Sequence, residues 1–394
     1  MINQTMVNLG TAKSVIRELA AFGAERAKVV GKENVLDFSL GNPSVPAPKE
    51  VQEAILDIVQ NMSPVEYHSY SSGAGHDGCR EAIANNLNKR FGTNYTKDNL
   101  LMTCGAAASL SITLKALIAD EKDEIVVLAP FFPEYTVFIK EQGGKQVMVE
   151  PQDNMQLNIE GIRNAITENT KAMIVNSPNN PAGVIYTKEE MMALAELLKE
   201  KEEEYGHAIY LIMDEPYREL VLMDDVEVAY MPNHYKNTVI NYSWSKSLSL
   251  PGERIGYVLV PNEVDDELLM AGVAGAARAL GYVCAPTLMQ FVIERCVDVE
   301  PDVTVYKKNR DLLFDGLKEL GYNVAKPAGA FYLFIEAPDG DSAKFSEKAK
   351  EHDMLIVPGA GFGAERFVRL SYCVETEKCE KSLPLFAKIM EEYK

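Results

Sequence analysis

Predominantly apolar runs, four opening on a polar or charged residue and the last holding Asn241, recur through the middle of the chain, at 124–128, 146–149, 171–175, 207–213 and 239–242, with segments of helical character between them. A continuous run, unlike an alternating one, predicts a strand buried on both faces, and strands alternating with helices predict a mostly parallel, helix-covered sheet. Helical spacing is clearest in Leu110, Leu114, Leu117 and Ile118, and further helices are predicted over 50–61, 78–91, 188–203 and 264–280, with another strand at 255–260. The flanks read differently. An amphipathic helix over 11–31 leads to a short strand at 35–40. After a long helix from about 287 to 320, shorter strands at 330–335, 354–357 and 366–372 mix with helices at 342–352 and 375–394.

The expected fold class is therefore α/β: a large domain with a mostly parallel, helix-covered sheet over 46–299, and a smaller α+β domain built from both chain ends, 1–45 and 300–394. Between them the stretch Gly41-Asn-Pro-Ser-Val-Pro-Ala-Pro48 carries too many prolines for regular structure and reads as a rigid crossing loop.

Composition narrows the partners. Of 394 residues 47% are apolar and 25% charged, as in ordinary globular proteins, while the net charge of −19 argues against nucleic acid or an anionic membrane. An anionic small molecule would have to be gathered by individual arginines. Six cysteines without a CxxC pair and five histidines without HExxH support neither a zinc site nor a disulfide framework, so no metal is expected. No apolar run reaches the ~18 residues of a membrane span and no secretory leader is apparent, which predicts a soluble, cytoplasmic protein. The run Gly359-Ala-Gly-Phe-Gly-Ala364 lacks the preceding βαβ context of a dinucleotide fingerprint and is set aside.

In open parallel sheets ligands sit beyond the carboxyl ends of the strands. The strands here end in Pro130-Phe-Phe-Pro133, Asn176-Ser-Pro-Asn-Asn-Pro-Ala-Gly183, Asp214-Glu-Pro-Tyr217 and Ser243-Trp-Ser-Lys246. These suit one planar, charged, phosphorylated ligand. Two serines beside Lys246 and an arginine eight residues on, Arg254, are equipment for a dianionic phosphate. An amine beside a bound phosphate points to a Schiff base with a phosphorylated aldehyde, pyridoxal 5'-phosphate being the candidate. The small residues of Thr103-Cys-Gly-Ala-Ala-Ala108, at a strand-to-helix turn, would let backbone amides approach an anion.

These motifs, with Val368-Arg-Leu-Ser371, resemble the fold-type-I pyridoxal-phosphate aminotransferases, the class I/II family that includes aspartate aminotransferase, and the resemblance runs from Leu40 to Tyr372. It implies ping-pong transamination between an L-amino acid and a 2-oxo acid through a Lys246 Schiff base, with Lys246 also moving the α-proton. By the same resemblance Asp214 pairs with the ring nitrogen, Asn180 and Tyr217 donate to the phenolic oxygen, and Phe132 stacks on the ring. Ser243, Ser245 and Arg254, with the amides of Gly105, Ala106 and Ala107, hold the phosphate. Relatives often carry hydroxyl or amide side chains where this chain has Cys104-Gly-Ala-Ala, which implies main-chain contact there.

Tyr70 would reach the phosphate of a neighbouring subunit, implying a homodimer with shared sites. Arg369 would grip the substrate carboxylate beside the Gly41 amide and Asn180, with small-domain closure excluding water. Arg278 is the candidate for selecting acidic donors across the dimer interface, which would make the donor aspartate-type. The same fold also hosts β-elimination (C–S) lyases, the alternative reading, and a ligand-sensing regulator, which lacks any DNA-binding element here.

Overall fold

The computed structural model describes residues 2–12 and 14–393; Lys13, inside the helix predicted over 11–31, Lys394, at the end of the one predicted over 375–394, and Met1 lie outside the described residues. In chain order the elements begin with α1 (Gln4–Thr11), α2 (Val15–Val30) and β1 (Leu36–Asp37). There follow α3 (Lys49–Asn61), α4 (Pro64–His68), α5 (Asp77–Phe91), β2 (Leu100–Thr103) and α6 (Ala106–Leu117). The central run is β3 (Glu124–Leu128), α7 (Glu134–Glu141), β4 (Lys145–Val149), α8 (Ile159–Ala165), β5 (Thr170–Asn176), α9 (Lys188–Tyr205), β6 (Tyr210–Asp214), β7 (Thr238–Ser243) and β8 (Gly256–Leu259). After α10 (Leu269–Ala279), α11 (Thr287–Cys296) and α12 (Thr304–Glu319) come β9 (Tyr332–Glu336), α13 (Ser342–Glu351), β10 (Met354–Leu355), β11 (Val357–Pro358), β12 (Phe367–Ser371) and α14 (Thr376–Glu391).

The chain divides into two compact units, one of residues 45–303 with 328–330, the other of 1–44, 304–327 and 331–394. The larger holds a seven-stranded sheet in the order β2-β8-β7-β6-β5-β3-β4. β4, β3, β5, β6 and β7 pair in parallel, whereas β8 runs antiparallel to both its neighbours. Every residue of β3, β7 and β8 is buried, as expected of strands covered on both faces; β3 and β8 are mostly apolar, whereas β7 also buries Thr238, Asn241 and Ser243. Helix α6 packs on this sheet between α7 and α10, which closes two apolar clusters over one face.

In the smaller unit β11, β12 and β9 form an antiparallel sheet and β1 pairs in parallel with β10, Leu36 opposite Met354 and Asp37 opposite Leu355. Among the described residues no helix is long and apolar enough to cross a membrane, and no group of three His, Cys, Asp or Glu side chains is placed to hold a metal.

Several elements differ from the sequence reading. The helix predicted over 11–31 starts only at Val15, because the backbone at Ala12 and Ser14 is extended and Ser14 takes the N-cap position; Thr11 instead ends α1, a helix absent from the sequence reading. The strand predicted over 35–40 is only Leu36–Asp37, since the Asp37 carboxylate accepts from Ser39 N at 2.9 Å and Ser39 Oγ at 2.6 Å, an Asx-type turn that diverts the chain. Between the helices predicted over 50–61 and 78–91 lies a further short helix, α4, which Pro64 starts at its first turn. The long helix expected from 287 to 320 is broken between Cys296 and Thr304. Pro301 cannot donate to a helical carbonyl and disfavours helix at the residue before it, and the break coincides with the passage from one unit to the other.

Candidate active site

Alternation along the strands sorts the strand-end residues by face. Ile174 on β5 and Ile212 on β6 belong to the cluster under α6 and α7, so Asn176 and Asp214, each two residues on, share that face. Val239 on β7 belongs to the cluster under α6 and α10, which puts Asn241 and Ser243 on the same side.

Asp214 is only 4% exposed. Tyr135, from the first turn of α7, donates its hydroxyl to Oδ2, while Asn176 Nδ2 donates to the Asp214 backbone carbonyl at 2.8 Å. Oδ1 is buried without a hydrogen-bond partner among the described residues. Burial pushes the carboxyl up to about 7, opposed by the Tyr135 hydrogen bond and aided by neighbouring Glu215. A dry carboxylate short of one donor is matched to a cation or an acidic N–H, either of which would restore its charge.

The loop after β5 is tied to the Asp214 main chain through Asn176. Asn176 Oδ1 accepts from Asn180 N at 2.7 Å, and Asn179 Nδ2 reaches Pro130 O at 3.3 Å, joining the loop to the turn after β3. In that turn Phe131 is buried in the core, whereas Phe132 is only partly buried and meets Tyr135 edge-on at 5.7 Å. Phe132 is thus the one of the pair with a ring face to offer. Tyr217 is 5% exposed, one turn past Asp214.

The turn between β2 and α6 is packed backbone against backbone. Gly105 has φ +89°, and a β-carbon there would come 2.8 Å from Arg254 Nη2; one on Gly256 would meet Tyr242 O at 2.3 Å and Gly105 Cα at 3.0 Å. The guanidinium of Arg254 therefore lies against the turn that opens α6, whose first amides, those of Ala106 and Ala107 among them, lack intrahelical acceptors. Helix N-terminus plus arginine is an anion site. The nearby Thr103 and Ser109 hydroxyls are 2.7 Å apart and bonded to each other, which leaves the main chain as the donor at this turn.

Ser243 Oγ donates to Ser245 Oγ at 3.2 Å, and both serines are buried. Lys246 follows, half-buried, between Ser245 and buried Ser247. Beyond it Ser249 and Arg254 hold φ of 54° and 53°, a conformation that costs a non-glycine residue about 1 kcal/mol or more and recurs where loops are shaped for a ligand. Burial pushes the Cys104 thiol up and Arg254 opposes the shift, so the arginine's field is felt at the turn.

In the smaller unit Arg369, 3% exposed on β12, donates through Nη2 to Ser39 O at 2.6 Å. Its guanidinium lies 4.8 Å from the Tyr332 ring centroid and 5.0 Å from that of Phe362. Gly41 backs onto Tyr332, whose hydroxyl would sit 2.1 Å from any β-carbon at 41. Two predicted residues stand apart in exposed positions of the larger unit: Tyr70, 87% exposed in the loop after α4, and Arg278, in the last turn of α10. Tyr135 escaped the sequence reading. The available signal was its place one turn past Phe132, whose carbonyl accepts from Tyr135 N at 3.0 Å, at the start of a helix that returns onto the sheet edge.

The chain is 31% identical to a probable aspartate aminotransferase of Methanocaldococcus jannaschii over 366 residues, covering 90% of this chain and 93% of the relative. Among solved structures, an amino transferase from Eubacterium rectale superimposes with a TM-score of 0.97 at 49% identity, covering 100% of this chain and 99% of that one. An aspartate aminotransferase from Thermus thermophilus with maleate gives 0.86 at 27% identity, covering 99% of each. The profile of the aminotransferase class I and II family matches residues 33–383, and with the strand-edge site and the shared fold this chain belongs to that family and is a transaminating enzyme.

Proposed function

We propose that the strand-edge residues hold pyridoxal 5'-phosphate and that the enzyme moves an amino group from an aspartate-type donor to a 2-oxo acid. The observation that carries the reading is the buried Asp214 carboxylate, pushed up to about 7 and with Oδ1 unpartnered among the described residues, on the sheet edge that also presents Lys246. The remaining residues fit the same group. Arg254, the amides of Gly105, Ala106 and Ala107, and Ser243 with Ser245 take the phosphate. Asn180 and Tyr217 are the donors for the phenolic oxygen, and Phe132 offers a ring face.

When bound, the cofactor supplies an electron sink for negative charge developing at the substrate's α-carbon. The chain's own work is then specific. Asp214 balances a proton on the ring nitrogen. Lys246 Nζ accepts the proton leaving the α-carbon, and Arg369, clamped by Ser39 O and its two rings, binds the α-carboxylate bidentately with the Gly41 amide.

Preference for a dicarboxylate donor is supported by the relatives named for aspartate and by the maleate that accompanies the Thermus thermophilus aspartate aminotransferase. A second carboxylate needs a second cation. Arg278, exposed on α10, is the one offered to another subunit, and Tyr70, 87% exposed, would serve the partner's phosphate in a homodimer. Alanine or aromatic donors are the alternative.

The test is steady-state kinetics on paired variants. Lys246→Ala is expected to stay folded and to lose roughly 10²–10⁴-fold or more in transamination. Arg278→Leu is expected to lower the ratio of kcat/KM for aspartate over alanine about tenfold to a hundredfold. Lys246→Ala turnover within tenfold of wild type ends the cofactor reading; an unmoved ratio removes Arg278 from donor selection and leaves the rest standing.

A further inference from the structure

On β7, directly opposite Asp214 in the parallel β6–β7 register, sits Asn241. It is fully buried in a stretch whose neighbours Val239 and Ile240 are aliphatic. Its side chain is not idle packing. Thr113, from the middle of α6, donates to Asn241 Oδ1 at 2.9 Å, and with that bond the amide nitrogen is turned away from the helix hydroxyl. The other end, Nδ2, is buried with no acceptor among the described residues. A buried donor left unmatched is costly, and an aliphatic side chain would avoid the cost.

The matching deficit lies on the residue paired with it. Asp214 Oδ1 is a buried acceptor without a partner among the described residues, on the same face and in the adjacent strand, where paired residues stand about 4.8 Å apart. We propose that Asn241 is a positioning residue for the Asp214 carboxylate: a small rotation brings its amide Nδ2, which makes no hydrogen bond as placed among the described residues, to donate to Oδ1, so that Thr113, Asn241 and Asp214 form one chain of hydrogen bonds from α6 to the sheet edge.

Such a donor does two things. With Tyr135 on Oδ2 it fixes the plane of the carboxylate from two sides, and it stabilises the ionised form that burial disfavours. A carboxylate oxygen accepts two hydrogen bonds, so Oδ1 keeps a lone pair for a ring N–H. The titratable groups facing Asp214 are few. Tyr135 comes from α7, and Glu215, next in the chain, is ion-paired to Arg218; α6 presents uncharged Thr113 and β5 uncharged Asn176.

The proposal rests on Asp214 as the ring-nitrogen partner, and the experiment separates the two. Full-length enzyme carrying ¹³C-carboxyl aspartate, with the Asp214 resonance identified by its loss in Asp214→Asn, is titrated without and with pyridoxal phosphate. In Asn241→Leu the Asp214 midpoint of the cofactor-free chain is expected to rise by about one pH unit. Thr113→Val should raise it by less, and Thr113→Ser, which keeps the hydroxyl, should restore the wild-type midpoint. The double variant Thr113→Val/Asn241→Leu should titrate like Asn241→Leu alone, as members of one chain do.

Midpoints within ~0.2 pH unit of wild type in both Asn241→Leu and Thr113→Val overturn the proposal; if Asn241→Leu fails to fold, Thr113→Val with its Thr113→Ser rescue decides alone. If the carboxyl midpoint moves while the absorbance titration of the bound cofactor does not, the hydrogen-bond chain stands and the ring-nitrogen role of Asp214 falls.

Discussion

Asp214 is held at a cost that the enzyme reveals through pH. An exposed aspartate titrates near 3.9, whereas this carboxyl is pushed up to about 7 by burial. Without cofactor, then, the folded chain keeps a proton between about pH 4 and 7 that the unfolded chain has released. By linkage, stability falls as pH rises through that window, and above 7 the loss is complete, on the order of 4 kcal/mol. Asp214→Asn removes the charge and should therefore melt at a higher temperature than wild type at pH 8, with the advantage gone near pH 4. Thermal melts of the two cofactor-free proteins across this range check it; parallel curves at all pH values would mean the carboxylate is not desolvated. At this scale the sequence spoke only in part. Asp214, Asn180 and Lys246 announced themselves by motif, but Tyr135 and Asn241 did not, because a tyrosine in a helix and an asparagine in a strand take their meaning from the groups opposite them.

Among elements, the strand-to-helix turn at Gly105 illustrates how backbone alone can make a site. Gly105 and Gly256 approach so closely that a single methyl group on Gly256 has nowhere to go but into Tyr242 O and the Gly105 backbone. Gly256→Ala is expected to destabilise the fold by about 1–3 kcal/mol and to weaken cofactor binding, since the displaced turn carries the amides that face Arg254. Gly252→Ala, in the same loop but with nothing within 4 Å of its added carbon, is the control and should be neutral or slightly stabilising. Denaturant unfolding and cofactor titration of the pair decide the matter, and equal behaviour would refute the close-packing account. The elements of the sheet were legible because burial on both faces leaves an apolar run in β3, β5 and β6. The carboxyl ends of β5 and β6 were legible for the same reason, each run stopping at a polar motif, at Asn176 and Asp214. Less visible were the interruptions: Pro301 was outweighed by the helical pattern on both sides of it, and the Asp37 turn depends on a side chain bonding two residues ahead.

The molecule as a whole joins residues that local pattern cannot connect. Nothing periodic in Leu36–Asp37 names Met354–Leu355 as its partner, nor does Arg26 predict its bidentate hold on Asp353, 327 residues away. By contrast the larger unit is almost one continuous segment, 45–303, completed by only three later residues. That asymmetry imposes an order in time. As the chain leaves a ribosome at about 5–20 residues per second, the seven-stranded sheet is available to form while the first 44 residues wait roughly 15–65 s for β10 and β12 to be made. On refolding of the complete protein, pulsed hydrogen exchange should find the amides of β5, β6 and β7 protected before those of Leu36 and Phe38, which bond to Asp353 O and Leu355 O. Simultaneous protection would dissolve the distinction. During synthesis Leu19 of α2 and the Val35, Leu36 and Phe38 side chains around β1, all buried in the finished fold, are thus orphaned for tens of seconds, and it is there that a nascent chain of this architecture has need of a chaperone.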